Sequence, residues 1–317
     1  MTSGKAVISG GAGFIGSHLA DSLLAEGWEV LAIDRQATPL FTPNINHLKN
    51  NIKFSYIQTD IKDPAPFEKL TKGADMIFHL AANSDIKLGG EHPNIDFHDT
   101  FLTTISMLKA AKTNGIKKFF FSSTSAVYGD MKGKLNENTG GLQPISYYGG
   151  TKLASEAMIS AYSYMNDIDA LVFRFPNVVG PRLTHGVIFD FIKKLKADPK
   201  RLEILGDGKQ TKQYVYVKDL VEGIVQFSAK MEKGYDLYNI STNSFTSVDQ
   251  IADMVCERLG LTDVEYQYTG GSGGWKGDVP TFDYDIRKAQ KKGWKFKYDS
   301  TAAVKKTLEE VDISSGR

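Results

Sequence analysis

The stretch that most constrains the fold runs from Lys5 to Gly16. A short run of strand-forming residues, KAVIS (5–9), gives way there to Gly10-Gly11-Ala12-Gly13-Phe14-Ile15-Gly16. Beyond it Ile15, Leu19, Leu23 and Leu24 follow helical spacing up to Gly27, a natural stop. A second strand, Glu29 to Ile33, ends in Asp34, 18 residues after Gly16. Strand, glycine turn, helix, strand and acid in that order predict an open, mostly parallel α/β sheet. Glycines at 10, 13 and 16 let the backbone turn tightly and approach a pyrophosphate at the positive end of the helix. The spacing is Gly-x-x-Gly-x-x-Gly rather than Gly-x-Gly-x-x-Gly, a variant of the dinucleotide turn. Asp34 is placed to accept hydrogen bonds from an adenosine ribose and to repel a 2′-phosphate. That combination points to NAD, while Arg35 beside the acid leaves NADP open.

The alternation continues. Ile52 to Gln58 leads into Thr59-Asp60-Ile61, and Met76 to Leu80 leads into Ala81-Ala82-Asn83. Asp60 either meets an adenine amino group through the neighbouring backbone or caps the following turn. The pair Ala81-Ala82 either lets a flat cofactor pass over the strand end or packs tightly against a helix. Between Glu91 and Gly115, Phe97, Phe101, Ile105, Leu108 and Ala111 recur at helical spacing, a stripe for core or oligomer contact. A fifth strand, Lys118 to Phe121, opens into Ser122-Ser123-Thr124-Ser125-Ala126-Val127-Tyr128-Gly129. Those hydroxyls lie where open α/β sheets bind ligands; one either holds a substrate hydroxyl or simply satisfies a polar strand end. Leu171 to Phe175 supplies a sixth strand, and after Pro176 the loops lengthen and the rhythm changes.

Between strands five and six lies a helix carrying Tyr148-Gly149-Gly150-Thr151-Lys152. A tyrosine and a lysine four apart share one helix face. An ammonium beside a phenol favours the phenolate and makes it a proton acceptor near neutral pH. Tyr147 competes, but its i+4 partner is Thr151, which carries no charge. The spacing therefore selects Tyr148.

Composition excludes several classes. The chain has 317 residues, 41% apolar, with 38 basic against 37 acidic side chains and a formal charge of +1. No charge excess marks a nucleic-acid or membrane surface. One cysteine, Cys256, rules out an internal disulfide and sits in an apolar helical pattern. No apolar run approaches a membrane span, and the start reads as strand rather than signal peptide, so a cytoplasmic location is expected. No metal is called for.

Taken together these segments resemble the extended short-chain dehydrogenase/reductases of the nucleotide-sugar epimerase/dehydratase group, and within it the UDP-glucose 4-epimerases most closely. The resemblance runs from about Lys5 to about Trp294. It rests on GGAGFIG (10–16), the Asp34 strand end, HLAAN (79–83), SSTSAVYG (122–129), SYYGGTKLASE (146–156), RFPNVVGPR (174–182), LGDGKQTKQYVYVKDL (205–220) and GWKGDVP (274–280).

The resemblance implies a Rossmann-type doubly wound parallel sheet with a smaller C-terminal α/β substrate-binding domain. The expected NAD-binding domain covers 1–176 with a returning segment near 213–240. The sugar-nucleotide domain covers 177–212 and 241–312, and 313–317 forms a tail. NAD is implied to rest on Gly10, Gly13, Phe14, Ile15, Gly16, Asp34, Asp60, Ile61, Leu80, Ala81, Ala82, Tyr148 and Lys152. Tyr148 is implied to be the catalytic base, Lys152 the residue that lowers its pKa and holds the nicotinamide ribose, and Thr124 the hydroxyl on the same substrate oxygen. The implied reaction inverts C4 of a UDP-hexose through a transient 4-keto sugar.

Substrate contacts are implied at Thr124, Asn177, Val187 within the segment 185–189, Leu205, Lys212, Lys276 and Phe282. Arg182, Lys212 and Lys276 are either phosphate-binding cations or exposed basic side chains. Lys212 stands where many relatives have arginine, so it offers a point charge in place of a fork. Thr100 replaces a common asparagine. Ser125 and Ala126 occupy the place of the acidic pair that sugar 4,6-dehydratases use to eliminate water, which argues against dehydration. Phe282 falls where a small residue admits N-acetyl sugars and so favours glucose and galactose. The alternatives are an epimerase of a UDP-N-acetylhexosamine, UDP-glucuronate, or a CDP- or GDP-sugar, and, in another class, a non-catalytic dinucleotide sensor. A homodimer through the helices beginning near Ile95 and Tyr148 is the implied assembly.

Overall fold

The structure, a computed structural model, describes residues 4–35, 42–60, 64–271, 277, 279 and 281–311. Seven strands make the central sheet: β1 (Lys5–Ser9), β2 (Glu29–Asp34), β3 (Phe54–Gln58), β4 (Met76–His79), β5 (Lys118–Thr124), β6 (Asp169–Phe175) and β7 (Tyr235–Asn239). Their order is β7-β6-β5-β4-β1-β2-β3. β1 pairs in parallel with β2 and β4, β2 with β3, and β4 with β5. This is the Rossmann-type α/β sheet expected from the glycine turn. The chain reverses its direction of growth between β1 and β4, so the carboxyl ends of those strands frame the crevice in which such sheets bind ligands.

The fifth strand shows why the sheet is covered on both faces. Phe119, Phe120 and Phe121 are all fully buried, although successive residues of a strand point to opposite sides. Phe119 and Phe121 join one cluster with Met107 and Leu108 of helix α2 (Thr103–Asn114) and Ile159 of helix α3 (Tyr147–Asn166). Phe120 packs on the other side, its ring 6.0 Å from that of Phe78 and 5.3 Å from that of Phe173. Each such ring contributes roughly 1.5–3 kcal/mol by leaving water.

Two compact units divide the chain. The first comprises 1–130, 137–174 and 221–238, the second 131–136, 175–220 and 239–317. These limits differ from the expected 1–176 with 213–240. The segment 131–136 belongs with the second unit because Lys134–Leu135 pairs in parallel with Asp283–Tyr284, about 150 residues away in sequence. Within that unit Asn177–Val179 pairs with Tyr214–Tyr216, Arg201–Ile204 with Glu265–Tyr268, and Thr211–Lys212 with Thr246–Ser247. Cys256 is buried in the helix Val248–Leu259.

The helical stripe expected over 91–115 is interrupted. His92 breaks it with a non-helical backbone (φ −129°, ψ 77°), and Phe97–Leu102 forms a π-helical turn before α2 begins. Leu108 and Ala111 are buried as expected, but Phe97 is 45% exposed. Among the described residues no helix is long and apolar enough to cross a membrane.

Candidate active site

The glycine turn separates into positions the fold demands and one it does not. Gly10 has a left-handed backbone (φ +74°), and a Cβ on it would lie 2.9 Å from the backbone nitrogen of Ala81. A Cβ on Gly16 would lie 2.2 Å from the carbonyl oxygen of Gly10. At Gly13 the nearest atom to an added Cβ is that same oxygen at 3.2 Å, and only a small shift would be needed. Gly13 is the N-cap of helix α1 (Phe14–Ala25), and no side chain caps that terminus. A helix start without a side-chain cap, approached across a bare Cα, fits a phosphate.

Around this cradle the other cofactor candidates converge. Asp34 Oδ2 accepts the Ala12 N–H at 3.3 Å and Oδ1 accepts the Arg35 N–H at 2.8 Å, which lays the carboxylate across the turn. The carbonyl of Asp34 accepts the N–H of Thr59 at 2.8 Å, bringing Asp60 to the end of β3. Leu80, Ala81 and Ala82 are partly exposed where the fully buried strand β4 ends. Ile61 lies outside the described residues.

Helix α3 delivers the acid-base residues. Ser146 caps it by accepting the Gly149 N–H at 3.1 Å. Gly149 is required because a Cβ there would stand 2.5 Å from the Ala126 carbonyl oxygen, and that closeness sets Tyr148 beside the end of β5. Thr124, nearly buried, accepts the Ala126 N–H at 3.2 Å and hydrogen-bonds the Tyr148 phenol. Lys152 is 2% exposed; its ammonium donates to the Ser122 carbonyl at 2.6 Å and lies 4.6 Å from the Phe121 ring centre and 5.8 Å from that of Tyr148. Thr124, Tyr148 and Lys152 therefore meet, while Tyr147 points to solvent, 55% exposed.

Lys152 is expected to lower the Tyr148 pKa. Burial works the other way and pushes the phenol up to about 12; the Thr124 hydrogen bond opposes this rise, and nearby Asp96 adds to it. Burial also drives Lys152 down to about 7, against the pull of Glu156 and Asp96. The lysine donates its hydrogen bond to a backbone carbonyl, and burial disfavours the charged form of both groups.

Three residues of this environment escaped the sequence reading. His79, fully buried, bridges Ser9 Oγ at 2.6 Å and Thr104 Oγ1 at 3.0 Å. Burial first, and then the Lys152 charge, hold it down at about 3. Asp96 is buried, with Oδ1 accepting from Asn83 at 2.9 Å and Oδ2 without a partner among the described residues; burial raises its pKa. Glu156 is bound in two places by Arg174, with Nη2···Oε2 at 2.6 Å and Nε···Oε1 at 3.0 Å, and also accepts from Ser123. The signal for Glu156 was present, since 148, 152 and 156 lie on one helix face.

The model of the NAD dependent epimerase/dehydratase family matches residues 6–241. The chain belongs to that family. The UDP-glucose 4-epimerase of Mycolicibacterium smegmatis is 29% identical, over 82% of this chain and 84% of its own. A UDP-glucuronic acid 4-epimerase from Bacillus cereus, solved with UDP-glucuronic acid and NAD, is 28% identical with a TM-score of 0.88, covering 98% of this chain and 99% of its own. The UDP-N-acetylglucosamine 4-epimerase from Methanobrevibacter ruminantium is 26% identical with a TM-score of 0.86, covering 98% of both chains. The family's NAD fits the residues present: Gly13 and the α1 terminus suit the pyrophosphate and Asp34 suits a ribose.

Thr124 lies in the first unit, and the other expected substrate residues that the structure describes fall in the second. Asn177 pairs in register with Tyr214, two residues past Lys212. Gln210 donates to the Leu205 carbonyl at 2.6 Å, and Thr211 hydrogen-bonds Thr281, the neighbour of Phe282, at 3.3 Å. Leu205, Lys212 and Phe282 are thus tied to one region, with Leu205 40% exposed. Val187 opens the helix Val187–Ala197. Arg182 holds a left-handed backbone (φ +69°), a costly conformation for a residue with a long side chain. Lys276 lies outside the described residues.

Proposed function

We propose that the protein is an NAD-dependent 4-epimerase of a nucleotide sugar, with UDP-glucose and UDP-galactose as its pair. The observation that carries this reading is the meeting of Thr124, Tyr148 and Lys152 at the carboxyl edge of the sheet that also holds the glycine turn. A dinucleotide sensor has no need of a buried base with its own hydroxyl and ammonium partners.

NAD+, when bound, supplies the acceptor that oxidises C4 and the donor that reduces it again, together with a positive charge of the kind that lowers a phenol's pKa. The chain's own residues handle the proton. Tyr148 takes it from the 4-hydroxyl of the sugar and returns it after the sugar has turned. Thr124 donates to the phenol oxygen and so favours the phenolate. Lys152, which burial draws down to about 7, stands beside Tyr148 and is partly in its ammonium form at physiological pH. The second unit is read as the sugar-nucleotide domain, with Asn177, Val187, Leu205 and Lys212 on the nucleotide diphosphate and Phe282 against the sugar.

Phe282 supports glucose and galactose, because a large ring at that position leaves little room for an N-acetyl group. The likeness to the glucuronate and N-acetylglucosamine epimerases supports a second reading in which one of those sugars is the substrate. Exposed Leu88, Phe97, Tyr164 and Met165, near or on the two helices named above, support a homodimer, and a buried unpaired cysteine suits a reducing cytoplasm. The deciding experiment is NMR of the purified protein with UDP-glucose, UDP-glucuronate and UDP-N-acetylglucosamine, following the C4 epimer. UDP-galactose is the expected product, and Tyr148→Phe abolishes its formation while NAD remains bound. Turnover unchanged in Tyr148→Phe would refute the mechanism.

A further inference from the structure

The second strand ends in an acid that suits the free ribose hydroxyls of NAD, followed by a base that suits the 2′-phosphate of NADP. The sequence leaves that contest undecided, and the two side chains settle it by going different ways. The Asp34 carboxylate stays on the glycine turn, held by the N–H groups of Ala12 and Arg35. The Arg35 guanidinium instead forms an ion pair with Asp99. Asp99 lies 64 residues further on, inside the π-helical turn Phe97–Leu102.

That turn is built to hold the acid still. π turns are rare and cluster at functional sites, because the extra residue re-aims the side chains on it. The Thr103 hydroxyl donates to the carbonyls of Asp99 (2.9 Å) and Thr100 (3.0 Å), and Thr104 donates to Thr100 at 2.8 Å. Asp99's side chain is 11% exposed and Arg35's 48%. A largely buried acid on a braced backbone thus meets a half-exposed base. Such pairs add little to stability, so the consequence that matters is where the guanidinium is kept.

We propose that Asp99 is a specificity-determining residue for the cofactor: by engaging Arg35 it denies the site the cation that a 2′-phosphate would require. A phosphate at that place meets the Asp34 carboxylate while the Arg35 charge is turned to Asp99. With Asp99 neutralised, Arg35 is released and offers a planar fork to the phosphate. The inference concerns the dinucleotide alone and stands whichever sugar the enzyme takes.

The test is a double-mutant cycle read by binding. NADH and NADPH are titrated by protein-to-nicotinamide fluorescence transfer into the wild type, Asp99→Asn, Arg35→Ala and the double variant. The readout is the ratio of the two dissociation constants. Asp99→Asn narrows the preference for NADH by about ten-fold. Arg35→Ala alone leaves the ratio near that of the wild type, and adding it to Asp99→Asn removes the gain. A ratio unmoved by Asp99→Asn, or a gain that survives the loss of Arg35, overturns the proposal. NADH binding reports that each variant is folded, and Asp99→Ser replaces Asp99→Asn if the latter fails that check.

Discussion

Lys152 and Arg174 are two cations buried in the same unit, 2% and 4% exposed, yet they are held in opposite ways. Arg174 is locked: Glu156 grips it in two places, its guanidinium lies 4.8 Å from the Tyr128 ring centre, and although burial opposes its charge the carboxylate raises its pKa above the ordinary value. Lys152 forms no ion pair among the described residues. It has one backbone carbonyl and two aromatic faces, and burial brings it down to about 7. Glu156 stands four residues beyond Lys152 on the same helix, where it would make an ordinary i,i+4 pair. Arg174 has taken it. A buried base kept from its nearest acid can gain or lose a proton near neutrality, whereas a buried base given its acid becomes part of the framework.

The contrast can be broken from either side. The largest effect belongs to Lys152→Met, which removes the ammonium beside Tyr148. A fall in kcat/KM of about 10²–10⁴ is expected, the usual share of a positioned acid-base group, with the folded state retained. Sugar-nucleotide turnover and thermal unfolding, measured side by side, check both halves.

Next in size is Glu156→Gln. It leaves the Arg174 charge buried without its counter-ion, and about 3–5 kcal/mol of stability is expected to go, read by urea unfolding. A loss below about 1 kcal/mol would mean that the two cations are less different than their contacts indicate.

The smallest effect extends the rule to a third buried base. Among the described residues His79 has no acid partner, and its folded pKa of about 3 lies below the ordinary 6.5. The unfolded chain therefore binds a proton that the folded one does not once pH falls below about 6.5, and stability drops continuously toward pH 3. Between pH 7 and pH 5 this amounts to about 2 kcal/mol. Unfolding midpoints at those two pH values should show the slope in the wild type and lose it in His79→Gln.

Much of the fold was legible because it is local. The glycine turn, the helix after it and Asp34 lie within thirty residues and read directly as strand, helix and strand. The identity of the acid-base residues was legible for the same reason, since Tyr148 and Lys152 are one helical turn apart. Their protonation was not, because burial is a property of the packed molecule: it pushes the phenol up and draws the lysine down. The sharing of Glu156 depends on Arg174, which arrives from β6, and the Asp99 contact with Arg35 depends on a π turn that hydrophobic periodicity had smoothed into a plain helix. The place of 131–136 rests on a two-residue pairing with Asp283–Tyr284, too short to leave a sequence pattern.

The central claim, that burial keeps Lys152 ready to change its charge while Arg174 holds Glu156, is tested most directly by carbon-13 NMR. Protein labelled at the lysine ε carbons is titrated without cofactor, and Lys152→Met identifies the signal. The account predicts that Lys152 titrates near pH 7 in the wild type and at higher pH in Arg174→Met, where Glu156 is released to it. A Lys152 signal that titrates near pH 10 in the wild type, as an ordinary lysine does, would contradict it.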